Sequence, residues 1–208
     1  MFRLSEPLEG LPESAKAFLF DCDGTLIDTM PLHFQCWERA ARGRGAVKPL
    51  DYERFLLLGG MSGHQVAAYV CRETGLPEEG LNELVNEKRA LYHESVDQCG
   101  LVPEVAAFAR RVSRTHPVAV VSGGHRSAVL RSLEATALDT LFPVVVTPDM
   151  VEHGKPAPDM YLLAAERLGV EPADCIVFED GLPGIEAARA AGMRVIVVEP
   201  KAALNPCP

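Results

Sequence analysis

The sequence has little that would direct it to a membrane or to a nucleic acid. Its longest apolar runs, such as Val66–Cys71, are far shorter than the ~20 residues that a membrane helix needs. The first residues, MFRLSEPLEGLPESAK, contain acids and prolines where a signal peptide needs an apolar core. Basic residues are outnumbered, 20 against 29 acidic ones, and the net charge is −9. An acidic surface disfavours nonspecific binding to nucleic acid or to an anionic membrane.

The cysteines do not form the pairs that hold structural metals. There are six of them, at positions 22, 36, 71, 99, 175 and 207, and none belongs to a CxxC pair. Together with the lack of a signal peptide, this predicts reduced thiols in a cytoplasmic protein. The chain of 208 residues is nonetheless 48% hydrophobic, enough to bury a core, so intrinsic disorder is excluded. Its length suits one large domain, or one domain that carries a smaller one.

Five short runs rich in β-branched and aromatic residues predict strands that are buried on both faces of a parallel sheet. The runs are Ala17–Asp21, Val118–Ser122, Val144–Thr147, Cys175–Phe178 and Arg194–Glu199. Helical patterns fall between them, at Pro103–Val112, Ser127–Leu138, Pro156–Leu168 and Gly184–Ala191. Alternation of strand and helix predicts an α/β fold, a Rossmann-like doubly wound sheet with right-handed crossovers.

One connection is too long for this pattern. Almost a hundred residues without a convincing strand separate Asp21 from Val118, and a connection of that length needs structure of its own. Amphipathic helices are predicted at about 31–42, 62–74 and 80–98. We therefore expect an α-helical cap over 30–99, inserted into a core domain made of 1–29 and 100–208.

The strongest local signal is an acidic pair at the end of the first strand, in Asp21-Cys22-Asp23-Gly24-Thr25. Residues i and i+2 of an extended segment share a face, so both carboxylates point the same way at the edge where open α/β sheets bind ligands. Cys22 then points to the opposite face, where packing is expected. Two unpaired carboxylates repel each other, and a divalent cation with oxygen ligands, expected to be Mg²⁺, offsets the charge.

Three further segments meet the same sheet edge. The fourth strand ends in a second acidic pair, Glu179-Asp180, as a metal site with ligands from two strands requires. Ser122 leads into a glycine loop that begins at Gly123 and can bring backbone N–H groups close to an anion. Lys155, between a glycine and two prolines, offers a fixed positive charge.

Taken in order, DCDGTLIDT, the strand-end Ser122, GKPAPD and FEDGLPGIEAARAAGM resemble the four signature motifs of the haloacid dehalogenase (HAD) superfamily. The resemblance spans essentially the whole chain. The stretch DTMPLHFQCW, followed by a helical insert, resembles the subgroup of β-phosphoglucomutases and small sugar-phosphate phosphatases. It implies a Mg²⁺-dependent phosphatase that acts on a small phosphorylated metabolite, with a sugar phosphate expected, through an aspartyl-phosphate.

The resemblance also implies a role for each matching residue. Asp21 is the expected nucleophile, and Asp23 the general acid and then the base, which requires that Asp23 stay protonatable near neutral pH. The expected metal ligands are a carboxylate oxygen of Asp21, the backbone carbonyl of Asp23, and Asp180, with Glu179 nearby. The residues expected to bind phosphate or substrate are Thr25, Ser122, Gly123, Lys155 and His33.

His33 and Trp37 share one face of the first cap helix, and in the subgroup that histidine faces the site. Where mutases of the subgroup carry a substrate-binding arginine in a G-x-S-R stretch, this chain has Gly63, which counts against a mutase. His64 is a weaker candidate for the pocket, and the cap cations Arg54, Arg72, Lys88 and Arg89 are expected to be solvated.

Two alternatives stay open. A β-phosphoglucomutase-type enzyme uses the same aspartates but returns the phosphoryl group to the reoriented sugar. A non-enzymatic phospho-acceptor module also combines a strand-end Asp, acids, a hydroxyl and a lysine, but it needs neither Asp23 nor the insert. No nucleic acid or membrane partner is predicted, and we expect a monomer.

Overall fold

The structure is a computed structural model that describes residues 2–4 and 15–200. A six-stranded sheet forms its centre. In order across the sheet, the strands are β1 (Phe2–Leu4), β8 (Arg194–Pro200), β7 (Cys175–Glu179), β2 (Ala17–Phe20), β5 (Val118–Val121) and β6 (Val144–Val146). The five strands from β8 to β6 are parallel, which confirms the predicted α/β sheet. Strand β1, which the sequence analysis did not predict, pairs antiparallel with β8.

Helices cover both faces of this sheet, as a doubly wound fold requires. They are α5 (Pro103–Val112), α6 (Arg126–Ala135), α7 (Asp159–Leu168) and α8 (Leu182–Ala190). The helix bounds follow the expected signals, since α5 begins at its proline and α7 ends before Gly169, whose φ of +68° is left-handed. Three bounds differ by two residues or more: α6 ends at Ala135 rather than Leu138, α8 begins at Leu182 rather than Gly184, and α7 begins at Asp159 rather than Pro156, which lies in a turn.

Two apolar clusters fill the spaces between sheet and helices. One is rich in aromatic rings, and in it Phe20 stacks on Phe178 with ring centroids 5.0 Å apart. Cys22 is buried in the same cluster, which confirms that it packs away from the aspartates. The other face is filled by smaller residues, among them Ala164 and Ala188. Both faces of the sheet are therefore buried, and polar side chains can reach a ligand only at the ends of the strands.

The long connection contains four helices between two very short strands. In chain order, these strands and helices are β3 (Ile27–Asp28), α1 (Met30–Gly43), α2 (Tyr52–Leu56), α3 (Gly63–Thr74), α4 (Leu81–Ser95) and β4 (Gly100–Leu101). Strands β3 and β4 pair antiparallel and form a neck where the helical segment leaves and rejoins the sheet. Neither strand nor the five-residue α2 was predicted, because such short elements carry no periodic pattern. The division into a core domain and a cap domain over 30–99 stays a prediction.

Cys22, Cys36, Cys71, Cys99 and Cys175 are free thiols. Cys207 and residues 5–14 of the opening segment lie outside the described residues. Within the part of the chain that the structure describes, none of the helices combines the length and the apolarity needed to cross a bilayer.

Candidate active site

Asp21 and Lys155 form a buried ion pair at the carboxyl end of β2. The Lys155 ammonium donates hydrogen bonds to Asp21 Oδ1 at 2.6 Å, to Glu179 Oε1 at 2.6 Å and to the Val121 carbonyl at 2.9 Å. Burial disfavours the charged ammonium, but Asp21 and Glu179 outweigh it and raise the pKa of Lys155 well above its usual range. Lys155 is therefore a permanent positive charge fixed between two strand ends.

Glu179 is held from several sides at the end of β7. Besides Lys155, its Oε1 accepts a hydrogen bond from the Tyr161 hydroxyl at 3.3 Å, and its Oε2 accepts one from the Gly181 N–H at 2.7 Å. Any side chain at Gly184 would overlap the Glu179 carboxylate. Both Glu179 oxygens thus already have protein partners, and Glu179 fixes the lysine in place.

Asp21, Glu179 and Asp180 bring their carboxylate oxygens within 4.8 Å of one another. Thr25 donates a hydrogen bond to Asp180 Oδ1 at 2.8 Å. Loss of hydration and the charge of Glu179 raise the pKa of Asp180 to about 8, since both disfavour the carboxylate. A side chain at Gly24 would overlap Asp180 Oδ2, so only glycine leaves this space open. An all-oxygen cluster of this kind fits Mg²⁺.

Asp23 lies in a different environment from Asp21. Its Oδ1 accepts hydrogen bonds from Thr29 Oγ1 at 2.7 Å and from His33 at 3.0 Å, and Ser122 Oγ donates to its Oδ2 at 3.3 Å. Burial alone would raise the pKa of Asp23, but His33, Thr29 and the positive charge of Lys88 outweigh it and hold that pKa well below its usual range. The partners of Asp23 thus favour its carboxylate in this arrangement, and the expectation that Asp23 takes up a proton near neutral pH stays a prediction.

His33 connects Asp23 to Lys88, a residue of α4. The Lys88 ammonium lies 2.6 Å from His33 Nδ1 and packs over the rings of Trp37 and Tyr92. Since a lysine can only donate, Nδ1 is the acceptor and Nε2–H donates to Asp23. The expectation that Lys88 is solvated is wrong, because α4 packs against α1 and leaves Lys88 only 9% exposed.

Asp21, Asp23, His33, Ser122 and Gly123 all line one cavity of about 110 Å³. Its opposite wall comes from the helical segment and is mostly apolar. That wall includes Met30, Trp37, Phe55, Leu58, Met61, Val66 and Val85. The cavity therefore has a charged floor at the sheet edge and an apolar roof.

The loop between α2 and α3 closes directly onto the floor. A Cβ added at Gly123 would lie 2.5 Å from the Gly60 carbonyl oxygen, and one at Gly181 would lie 2.6 Å from that of Gly59. Glycine is needed at both floor positions because the two backbones touch there. This contact makes the described arrangement a closed one.

Most of the residues singled out from the sequence lie in or next to this cavity. Thr25 is fully buried beside Asp180, so its contact with phosphate stays a prediction. His64 pairs with Asn82 at 2.8 Å and does not line the cavity, whereas Gly63 does. Lys88 was undervalued because its signal, an aromatic residue four positions later on the same helix face, is weak by itself.

Comparisons with known proteins agree with this geometry. The family model described as "Hydrolase: haloacid dehalogenase-like hydrolase" matches residues 15–192. Fructose-1-phosphate phosphatase YqaB of Escherichia coli (strain K12) is 35% identical over 190 residues, 89% of this chain and 97% of that protein. Beta-phosphoglucomutase of Bacillus subtilis (strain 168) is 30% identical over 192 residues, covering 88% of this chain and 83% of that protein. The crystal structure of CbbY from Rhodobacter sphaeroides in complex with phosphate has a TM-score of 0.78 at 27% identity, covering 87% and 84%.

Proposed function

The chain belongs to the haloacid dehalogenase-like hydrolase family and is a phosphatase, and from this premise we propose that it hydrolyses a small phosphorylated metabolite, a sugar phosphate, through an aspartyl-phosphate. One observation supports the proposal: Asp21 and Asp23 line the same cavity, but their carboxylates have different hydrogen-bond partners. Asp21 is paired with the Lys155 ammonium, and Asp23 with neutral donors and a histidine. Two carboxylates in separate environments suit two chemical roles.

Asp21 is the proposed nucleophile. Its carboxylate oxygen forms the bond to phosphorus while the ester bond to the alcohol breaks, and the electron pair goes to the alcohol oxygen. Lys155 beside it neutralises charge on the phosphoryl oxygens, as phosphoryl transfer requires. Ser122, whose Oγ accepts a hydrogen bond from Gly124 N at 3.0 Å, is proposed to contact the same oxygens.

Asp23 is the proposed proton carrier. It protonates the departing alcohol, and it then takes a proton from the water that attacks phosphorus and releases phosphate and free Asp21. Asp23 must gain a proton before the first step, and a phosphate dianion brought beside it raises its pKa by like-charge repulsion. The carboxylate form favoured by His33 is the form needed in the second step.

Mg²⁺ is the proposed cofactor, held by Asp21 and Asp180 together with the backbone carbonyl of Asp23. When bound, it supplies positive charge that offsets the phosphoryl oxygens and the acidic cluster. Glu179 is proposed to act through Lys155 rather than as a direct ligand, since both of its oxygens have protein partners.

A phosphoglucomutase-type reaction is the second candidate, supported by the relative of that name. We favour hydrolysis because the cavity wall has Gly63 where the resemblance predicts the substrate-binding arginine of mutases. A non-enzymatic phospho-acceptor does not fit an enzyme family. A monomeric state and a cytoplasmic location stay predictions.

The proposal is tested with p-nitrophenyl phosphate and with a panel of sugar phosphates, read out both as phosphate release and as isomer formation. We expect Mg²⁺-dependent release that EDTA abolishes and that Asp21→Asn lowers by at least roughly 10³-fold. Near-wild-type hydrolysis by Asp21→Asn would sink the nucleophile assignment, and activity in EDTA would sink the metal. Conversion of β-glucose 1-phosphate to glucose 6-phosphate without phosphate release would establish the mutase instead.

A further inference from the structure

Two basic side chains, Arg89 and His125, line the active-site cavity without a role in the chemistry above. Arg89 follows Lys88 on α4, in the roof, and His125 is the N-cap of α6, in the floor. Within residues 2–4 and 15–200, Arg89 has neither a hydrogen bond nor an ion pair. Arg89 is half-buried, so its side chain has lost part of its hydration without gaining a partner among the described residues.

His125 is exposed, and among the described residues one of its ring nitrogens has a hydrogen-bond partner and the other has none. Its Nδ1 accepts a hydrogen bond from the Ser127 N–H at 3.4 Å and lies 2.9 Å from Ser127 Oγ. With Nδ1 as acceptor, the proton of the neutral ring is on Nε2. His125 therefore offers an N–H donor at the positive end of the α6 dipole.

The carboxylates that line the cavity do not neutralise Arg89. They are Asp21, which is paired with Lys155, and Asp23, whose oxygens accept from Thr29, His33 and Ser122. Burial and the nearby positive charge of Arg89 lower the pKa of His125, although Asp149 opposes them.

We infer that the substrate carries a second anionic group, a carboxylate or a phosphate, on the alcohol side of the scissile ester, and that Arg89 and His125 bind it. This inference rests on the proposed function. A guanidinium presents a planar fork that matches both groups in two parallel hydrogen bonds.

Matched pairs of phosphate esters test the inference. The carboxylate pair is 3-phosphoglycerate and glycerol 3-phosphate, and the phosphate pair is fructose 1,6-bisphosphate and fructose 1-phosphate. We expect the wild type to favour the more anionic member of at least one pair by roughly 10- to 100-fold in kcat/KM, the range for one charged hydrogen-bonded contact. The pair that shows the preference identifies the group.

Arg89→Gln should bring the ratio within that pair close to one. His125→Asn should lower the ratio while keeping the cap of α6, because asparagine is a good N-cap. Arg72→Gln is the matched control: Arg72 is an arginine of α3 that does not line the cavity, and this variant should keep the wild-type ratio.

A wild type without preference in either pair overturns the inference, as does an Arg89→Gln variant that keeps the wild-type ratio. Hydrolysis of p-nitrophenyl phosphate, which has no second anion, separates this result from failure of the proposed function. If the protein shows no turnover, binding of the same esters tests the anion site independently. Titration calorimetry measures the ratio of their Kd values on Mg²⁺-loaded Asp21→Asn and on the double variant that also carries Arg89→Gln.

Discussion

Replacing Lys88 by methionine separates the activity of the site from its stability. Lys88 donates to His33 Nδ1 at 2.6 Å, and His33 in turn donates to Asp23 Oδ1 at 3.0 Å. Methionine fills a similar volume among the rings of Trp37 and Tyr92 but leaves His33 without its donor. A hydrogen bond from a charged donor contributes about 1.5–3 kcal/mol, so kcat/KM for p-nitrophenyl phosphate should fall roughly 10- to 100-fold. Lys88 acts through His33 and is a positioning residue.

The stability of the same variant should depend on pH with a defined sign. Burial lowers the pKa of Lys88 from 10.5 to about 8, although Asp23 opposes this. Between those two pH values the unfolded chain binds more protons than the folded chain, so the free energy of unfolding of the wild type rises with pH through this window. The two pKa values differ by an amount worth about 3 kcal/mol. Lys88→Met lacks this contribution, and its stability relative to wild type should be greatest below pH 8.

Urea unfolding at several pH values from 7 to 10.5, followed by circular dichroism, measures this difference, and kinetics measure the activity. Lys48→Met is the control, since Lys48 is an exposed lysine of the same helical segment and its loss should change neither quantity. Equal pH dependence in wild type and Lys88→Met, together with unchanged kcat/KM, would refute the reasoning.

Two further predictions concern the acidic cluster. Gly184→Ala places a Cβ onto the Glu179 carboxylate and should lower the free energy of unfolding by about 2 kcal/mol or more. Gly43→Ala is the control, because its Cβ would meet nothing within 4 Å, and it should melt close to the wild-type temperature. Equal melting temperatures of both variants would contradict the packing argument. Asp180→Asn should raise the Mg²⁺ concentration for half-maximal activity at least roughly tenfold. Glu179→Gln should raise it less, because both oxygens of Glu179 already have protein partners. Equal shifts in the two variants would indicate that Glu179 is a direct ligand.

The order of the motifs made much of the site predictable. Parallel strands end at one edge of their sheet, so Asp21, Ser122 and Glu179 had to come close together once their runs were recognised as strands. The observed register agrees, with Phe20 paired to both Val120 and Phe178. Helix bounds such as Pro103–Val112 were predictable because the signals that begin and end them are local.

The sequence by itself determined which residues end the strands, and hence which carboxylates share an edge, because strand direction and side-chain alternation are local properties of the chain. Tertiary structure decided the partners of those carboxylates. Lys88 reaches His33 only because α4 packs on α1 across 55 positions, and Glu179 binds Lys155 only because of how the loop after β6 returns to the sheet. Such contacts depend on the packing of distant surfaces, and the pKa of Asp23 depends on them in turn.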